Sequence, residues 1–127
     1  MSKQIYKRSG AHLPDNCRPG WDILFTLGDK WTGPVLGTLS RDGRQRFSDI
    51  EKALPALSQR MLTLTLRRLE RDGLVQREIF PAVPPRVEYE LTERGRSLLL
   101  AVKDFASWGF ENHEDIERSR QRFDAAE

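Results

Sequence analysis

Residues 58–91 read SQRMLTLTLRRLERDGLVQREIFPAVPPRVEYEL, and this stretch decides the fold. Ser58 offers a hydroxyl N-cap, whose oxygen can accept a backbone N–H that the first helical turn leaves without a partner. Behind it, Leu62, Leu66 and Leu69 recur at i, i+4 and i+7, the spacing that lines one helical face with apolar side chains. Gln59, Arg60, Thr63 and Arg67 fall mostly off that stripe and face outward. Asp72-Gly73 stops the helix, because glycine takes the left-handed conformation of a helix end at little steric cost. Leu74–Phe80 then reads as a strand. Pro81, Pro84 and Pro85 stiffen a tip, and Arg86-Val87-Glu88-Tyr89-Glu90-Leu91 alternates polar with apolar as a half-buried strand should.

Upstream, Ser48 followed by Glu51 predicts a capping box opening a short helix that ends near Leu54-Pro55. Arg41-Asp42-Gly43 is a turn, and a helix is expected over about Lys30–Ser40, with Pro34 tolerated in its first turn. A further apolar helix is predicted over 19–27, with Pro19 near its start and Gly28 as its stop. Residues 1–16 lack periodicity and read as a flexible arm. Downstream, Thr92 caps a helix predicted over 93–110. Its apolar Leu98, Leu99, Val102, Phe105, Ala106 and Trp108 exceed the single stripe that one small domain needs. A last, highly charged helix is expected over 112–124, with Ile116 and Phe123 as widely spaced anchors. The fold class is therefore mainly α with a small β-ribbon, in a single domain over 17–127.

The chain's 127 residues suffice for one core and are too few for two comfortable domains. Charged residues make up 31% and hydrophobic ones 38%, a globular balance without low-complexity tracts. No apolar run approaches the roughly 18 residues of a membrane span, and the basic N-terminal stretch lacks the apolar core of a secretory signal. Cys17 is the single cysteine, which excludes an internal disulfide and suits a reducing cytoplasm. The net charge of +2 conceals an asymmetry. Residues 41–96 hold twelve basic against nine acidic side chains, whereas the chain from Asp104 onward holds seven acidic against three basic. A basic middle suits a polyanion, and the acidic end then faces elsewhere.

A capped basic helix followed by a two-stranded ribbon is the layout of a winged helix-turn-helix, whose helix enters a DNA groove while the ribbon flanks it. The sequence resembles the HxlR-type branch of bacterial winged-helix regulators, relatives of the MarR group. The matching pieces are LGDKWTGPVLGTL (27–39), RFSDIEKAL (46–54), LSQRMLTLTLRRLERDGLVQR (57–77) and PPRVEYELTERG (84–95), followed by Trp108. They run in order over about the central two-thirds of the chain. The resemblance implies a homodimeric DNA-binding transcriptional regulator with a helical dimer interface.

The residues support the DNA reading on their own terms. Arg60, near the start of its helix, can reach a base edge, where arginine pairs bidentately with guanine. Ser58, Gln59 and Thr63 can hydrogen-bond phosphates or bases. Arg60 and Arg67 on an isolated helix would merely solvate it; the capped helix before and the ribbon after favour DNA contact. Leu64 occupies an exposed-looking place where the family often has a polar residue, and either meets a thymine methyl or turns into the core. Arg86, beside the tip, is a candidate for phosphate or minor-groove contact, against the alternative of a cross-strand pair with Glu78. Arg44 and Arg46 can hold phosphates, Arg77 sits on the ribbon, and Lys30 is a helix-end or phosphate cation beside a core Trp31.

Trp21, Leu24, Leu98, Val102, Phe105 and Trp108 are the expected dimer contacts. In several regulators of the resembled family a cysteine near this place senses oxidants. Here the helix start and Arg18 favour the reactive thiolate of Cys17, against the alternative of an inert interface thiol. A small-molecule effector is the other expected control. His12 and His113 lack ligand spacing, so no metal is expected. No nucleophile–base pair and no glycine-rich phosphate loop is present, so neither cofactor nor enzyme activity is expected. The rival reading is a winged-helix protein-interaction module without sequence-specific DNA binding.

Overall fold

The computed structural model describes residues 17–127; the expected N-terminal arm over 1–16, with His12, lies outside the described residues. In chain order the elements are α1 (Arg18–Leu27), α2 (Thr32–Asp42), β1 (Gln45–Arg46), α3 (Phe47–Ala53), α4 (Gln59–Arg71), β2 (Val75–Phe80), β3 (Arg86–Leu91) and α5 (Glu93–Ala126). The strands form one antiparallel sheet in the order β1-β3-β2. This is a winged-helix arrangement, mainly helical with a small sheet, as the sequence predicts. Among the described residues, no helix is long and apolar enough to cross a membrane.

The leucine stripe of α4 is the centre of the core. Leu62, Leu66 and Leu69 are buried, as are Val35, Leu36 and Leu39 of α2, Ile50 of α3, and Leu57, Leu74, Val75, Leu91 and Leu99 around them. Thr65, which the stripe spacing does not single out, is buried with them, and its hydroxyl has no hydrogen-bond partner among the described residues.

Helix α4 ends as its sequence requires. Gly73 has φ +75°, and two bonds close the last turn: Leu74 N–H donates to Leu69 O (2.9 Å) and Gly73 N–H to Glu70 O (3.0 Å). This paired pattern satisfies carbonyls that a helix end leaves open. The chain then turns into β2, and β3 leads to Thr92. The Thr92 hydroxyl donates to Gly73 O (2.6 Å) and accepts from Gly95 N–H (3.1 Å), capping α5 against the end of α4. Gly95 permits that approach, since a Cβ there would stand 2.1 Å from Leu74 O.

Four expectations need correction. The third helix opens at Phe47, not Ser48: Arg46 is its N-cap, and Asp49, not Glu51, returns a carboxylate to the Arg46 N–H at 3.2 Å. The cause is β1, which pairs Gln45 with Tyr89 and Arg46 with Glu88 and carries extended backbone straight into the helix. Helix α2 starts two residues later than predicted: Trp31 is its N-cap, and Asp29 stands ahead of it, accepting the Trp31 and Thr32 N–H groups. Trp31 is half-buried rather than core. The two C-terminal helices predicted over 93–110 and 112–124 are one, α5. Nothing there breaks the helix: Asn112 donates back to Trp108 O (2.8 Å) instead of capping a new one.

The described chain divides into two compact units, one within Pro14–Leu100 and one within Ala101–Glu127. The first holds the winged-helix core. The second is the remainder of α5, in which no residue is buried, so it has no core of its own.

Candidate nucleic-acid interface

Ser58 caps α4 by accepting the Met61 N–H at 3.1 Å, so the helix begins cleanly with its first turn outside the core. Gln59, Arg60, Thr63, Leu64 and Arg67 are all exposed. The first four line one shallow depression of about 330 Å³. Thr63 donates its hydroxyl to Gln59 O (2.9 Å), which fixes its rotamer and leaves an oxygen lone pair facing out. Leu64 is 52% exposed, which answers the question its sequence position posed: it projects outward with the polar set. The structure thus gathers Ser58, Gln59, Arg60, Thr63, Leu64 and Arg67 on one helical surface.

The ribbon has two faces. On the outer one, Glu78 lies directly opposite Glu88, a like-charge pairing that is unfavourable alone. Arg44 relieves it. Its guanidinium reaches Glu90 at 2.8 Å, Glu78 at 3.4 Å and Glu88 at 3.9 Å. The hydrogen bond to Glu90 leads the effects that raise the Arg44 pKa above its ordinary value, the other carboxylates adding to it against some desolvation. Arg86 pairs along its own strand with Glu88 (3.1 Å) and stacks over Phe80 at 4.9 Å. The cross-strand Arg86–Glu78 pair weighed from the sequence is therefore not the one formed: Arg44 holds Glu78. Both arginines are engaged with carboxylates that a phosphate would have to displace.

On the inner face Arg77 stands opposite Tyr89 and pairs with Glu70 of α4 at 3.3 Å. Burial pushes the Tyr89 phenol up, Arg77 pulls it down and Glu70 pushes it up again, leaving it raised. Phe47, Thr63, Arg67, Glu70, Arg71, Arg77 and Tyr89 line a cleft of about 710 Å³ between α4 and the ribbon. Of these, the sequence reading assigns no role to Phe47, Glu70, Arg71 or Tyr89. The signal for Tyr89 lay in strand alternation, which places it with Arg77; Glu70 and Phe47 carry no mark that separates them from ordinary surface residues.

Elsewhere the expected residues are dispersed. Arg46 is exposed at the head of α3, and the Lys30 ammonium sits 5.3 Å from the Trp31 ring. Cys17 is half-buried at the N-cap of α1, where its carbonyl accepts the Trp21 N–H at 3.1 Å. Helix α1 buries only Leu27 and exposes Trp21, Ile23, Leu24 and Phe25, the last by 83%. Of the residues expected at the dimer contact on α5, Leu98, Val102 and Trp108 are half-buried and Phe105 is exposed. Among the described residues, no group of acidic, His or Cys side chains could hold a metal ion.

Known proteins share this architecture. The profile of the HxlR-like helix-turn-helix family matches residues 26–117. An HTH-type transcriptional regulator of Methanothermobacter thermautotrophicus is 52% identical over 83 residues, 65% of this chain and 63% of that protein, so the match spans somewhat under two thirds of its length. The Bacillus subtilis HTH-type regulator YybR is 44% identical over 106 residues, 81% of this chain and 84% of its own. The solved structure of the redox regulator HypR in its reduced form is 43% identical, with a TM-score of 0.69, over 79% of this chain and 98% of that one. The chain belongs to the HxlR-like helix-turn-helix family of transcriptional regulators.

Proposed function

We propose that the protein regulates transcription as a homodimer that binds an inverted-repeat operator, with α4 in the major groove and the β2–β3 ribbon as wing. The observation that carries this reading is the exposed surface of α4. A Ser58-capped helix presents Gln59, Arg60, Thr63 and Leu64 together on one depression while its leucines anchor it in the core. Amide, guanidinium, hydroxyl and apolar contacts are the kinds that distinguish base pairs in the major groove. Arg67 follows them, with Arg46, Lys30, Arg77 and Arg86 as candidate phosphate contacts. Arg44, held by three glutamates, serves first to neutralise the wing.

Dimerisation is supported by apolar exposure. Trp21, Leu24 and their neighbours on α1, and Phe105 on α5, leave faces that a second copy would cover. Burying each such large side chain is worth about 1.5–3 kcal/mol. Two-fold symmetry then sets half-sites about 10 base pairs, or a multiple, apart.

Binding to mixed genomic fragments at low and moderate salt tests the reading. Salt-sensitive retention of a subset carrying inverted repeats is expected; absence of DNA affinity at low salt would favour a protein-interaction module.

Oxidative control through Cys17 is a second part of the proposal, favoured by its place at the head of α1 and by the similarity to the redox regulator HypR. Two Cys17 thiols from two copies would form one disulfide, giving two protons and two electrons to an oxidant such as diamide, which becomes its hydrazine. Diamide should release DNA from the parent and not from Cys17→Ser. Equal release from both would sink this part.

A further inference from the structure

The cleft between α4 and the ribbon has a composition that reading bases does not explain. Three guanidiniums (Arg67, Arg71 and Arg77) and the Tyr89 phenol surround a single carboxylate, Glu70, in about 710 Å³. Arg67 and Arg71 have no carboxylate partner among the described residues, whereas Arg77 is bound to Glu70 at 3.3 Å. The C-terminal end of a helix repels anions through its dipole, so any affinity for an anion here must come from these side chains. Arginine's planar fork suits phosphate oxygens, and a phenol adds a neutral donor.

Position supplies the second argument. Thr63 lines both the cleft and the shallow depression that holds Gln59, Arg60 and Leu64, so the two surfaces are continuous. At 1.5 Å per residue, Arg67 and Arg71 lie about 10 and 16 Å along the axis from Arg60. The major groove is about 12 Å wide. With Arg60 at the base edges, the cleft therefore falls at the rim of the groove, where phosphates stand.

We infer that this cleft seats one DNA backbone phosphate through Arg67, Arg71, Arg77 and Tyr89, and that Glu70 competes with the phosphate for Arg77. The inference rests on the DNA-binding reading above and assigns Glu70 a role: it weakens backbone affinity without altering which bases are preferred. Phosphate contacts position a protein and carry no sequence information, so the effect must be the same on every DNA.

The test is titration of the parent, Glu70→Gln, Arg71→Ala and Tyr89→Phe against a selected operator and against mixed-sequence DNA, across chloride concentrations. Thermal melting checks that each variant is folded. Glu70→Gln should tighten binding several-fold to both DNAs and make the log–log salt slope more negative by no more than about 0.9, since it frees Arg77 for a phosphate that is already seated. Arg71→Ala should weaken both equally and make the slope less negative by about 0.9. Tyr89→Phe should weaken both with the slope unchanged. If the parent binds DNA but Glu70→Gln and Arg71→Ala leave affinity and slope unchanged, the inference falls alone. If the parent binds no DNA at low salt, it falls together with the reading beneath it. A change in operator preference would make these residues base readers and overturn it. Inorganic phosphate at matched ionic strength provides the last arm: release of DNA beyond the chloride control would mark a site for free phosphate instead.

Discussion

Asp29 and Arg68 lock the start of α2 to the middle of α4. One Asp29 oxygen accepts the Trp31 N–H (2.9 Å), the Thr32 N–H (2.8 Å) and the Thr32 hydroxyl (2.9 Å), and the other takes the Arg68 guanidinium. Burial pushes the Asp29 carboxyl up, but the Thr32 and Trp31 backbone bonds, the Thr32 hydroxyl and Arg68 together leave it below the usual carboxylate value. Asp29→Ala should therefore leave the Trp31 and Thr32 N–H groups without their acceptor, costing about 0.5–2 kcal/mol in urea denaturation, as loss of a capping oxygen does. Asp29→Asn keeps an oxygen for those N–H groups and loses only a half-exposed ion pair, worth about 0–1 kcal/mol. Equal losses in the two variants would contradict this division.

The same carboxyl predicts a pH dependence. A group whose pKa is lowered by folding stabilises the fold fully above its unfolded value, near 3.8, and the contribution is lost as pH falls through the lowered native value. Parent stability should thus fall faster than that of Asp29→Asn below about pH 4 and run parallel to it above pH 5. Denaturation midpoints across that range provide the check.

Thr65 gives a control that separates stability from recognition. Its hydroxyl is buried without a partner, which disfavours the fold by about 1 kcal/mol or more. Thr65→Val removes the hydroxyl, and should raise stability by about 1 kcal/mol while DNA affinity stays constant. A loss of stability would show that the hydroxyl has a partner after all.

Two glycines are predicted to differ. Gly95→Ala drives a Cβ into the Leu74 backbone oxygen, which cannot move without disturbing the α4–β2 junction. Gly73→Ala meets only the flexible end of Arg94 and incurs the left-handed penalty, about 1–2 kcal/mol. Thermal denaturation should rank Gly95→Ala as the more damaging.

Much of this was legible in the sequence. The Ser58 cap, the leucine stripe, the Gly73 stop and the alternation of β3 each rest on local rules that burial then satisfies. The misreadings have non-local causes. Arg46 becomes an N-cap only because β1 pairs with β3, some forty residues further on in sequence. Arg44 is drawn to Glu78, Glu88 and Glu90 by a strand register that no short window contains. Ser48 met every local criterion for a cap and lost to a strand.

The dimer proposal is tested by Leu24→Glu. A carboxylate in the apolar face of α1 should shift the protein from dimer to monomer in sedimentation, with helical content unchanged because Leu24 is no part of the core. A variant that remains dimeric would move the interface away from α1.

Base reading by Arg60 of α4 is tested by titrating the parent and Arg60→Ala against the selected operator and each of its single-base variants. If Arg60 reads a base, Arg60→Ala loses about 1–3 kcal/mol on the operator and relaxes the preference at one position per half-site. Arg86→Ala, in the same titration, should weaken all sequences alike. Arg60→Ala behaving as Arg86→Ala does, with every base preference intact, would show that Arg60 reads no base.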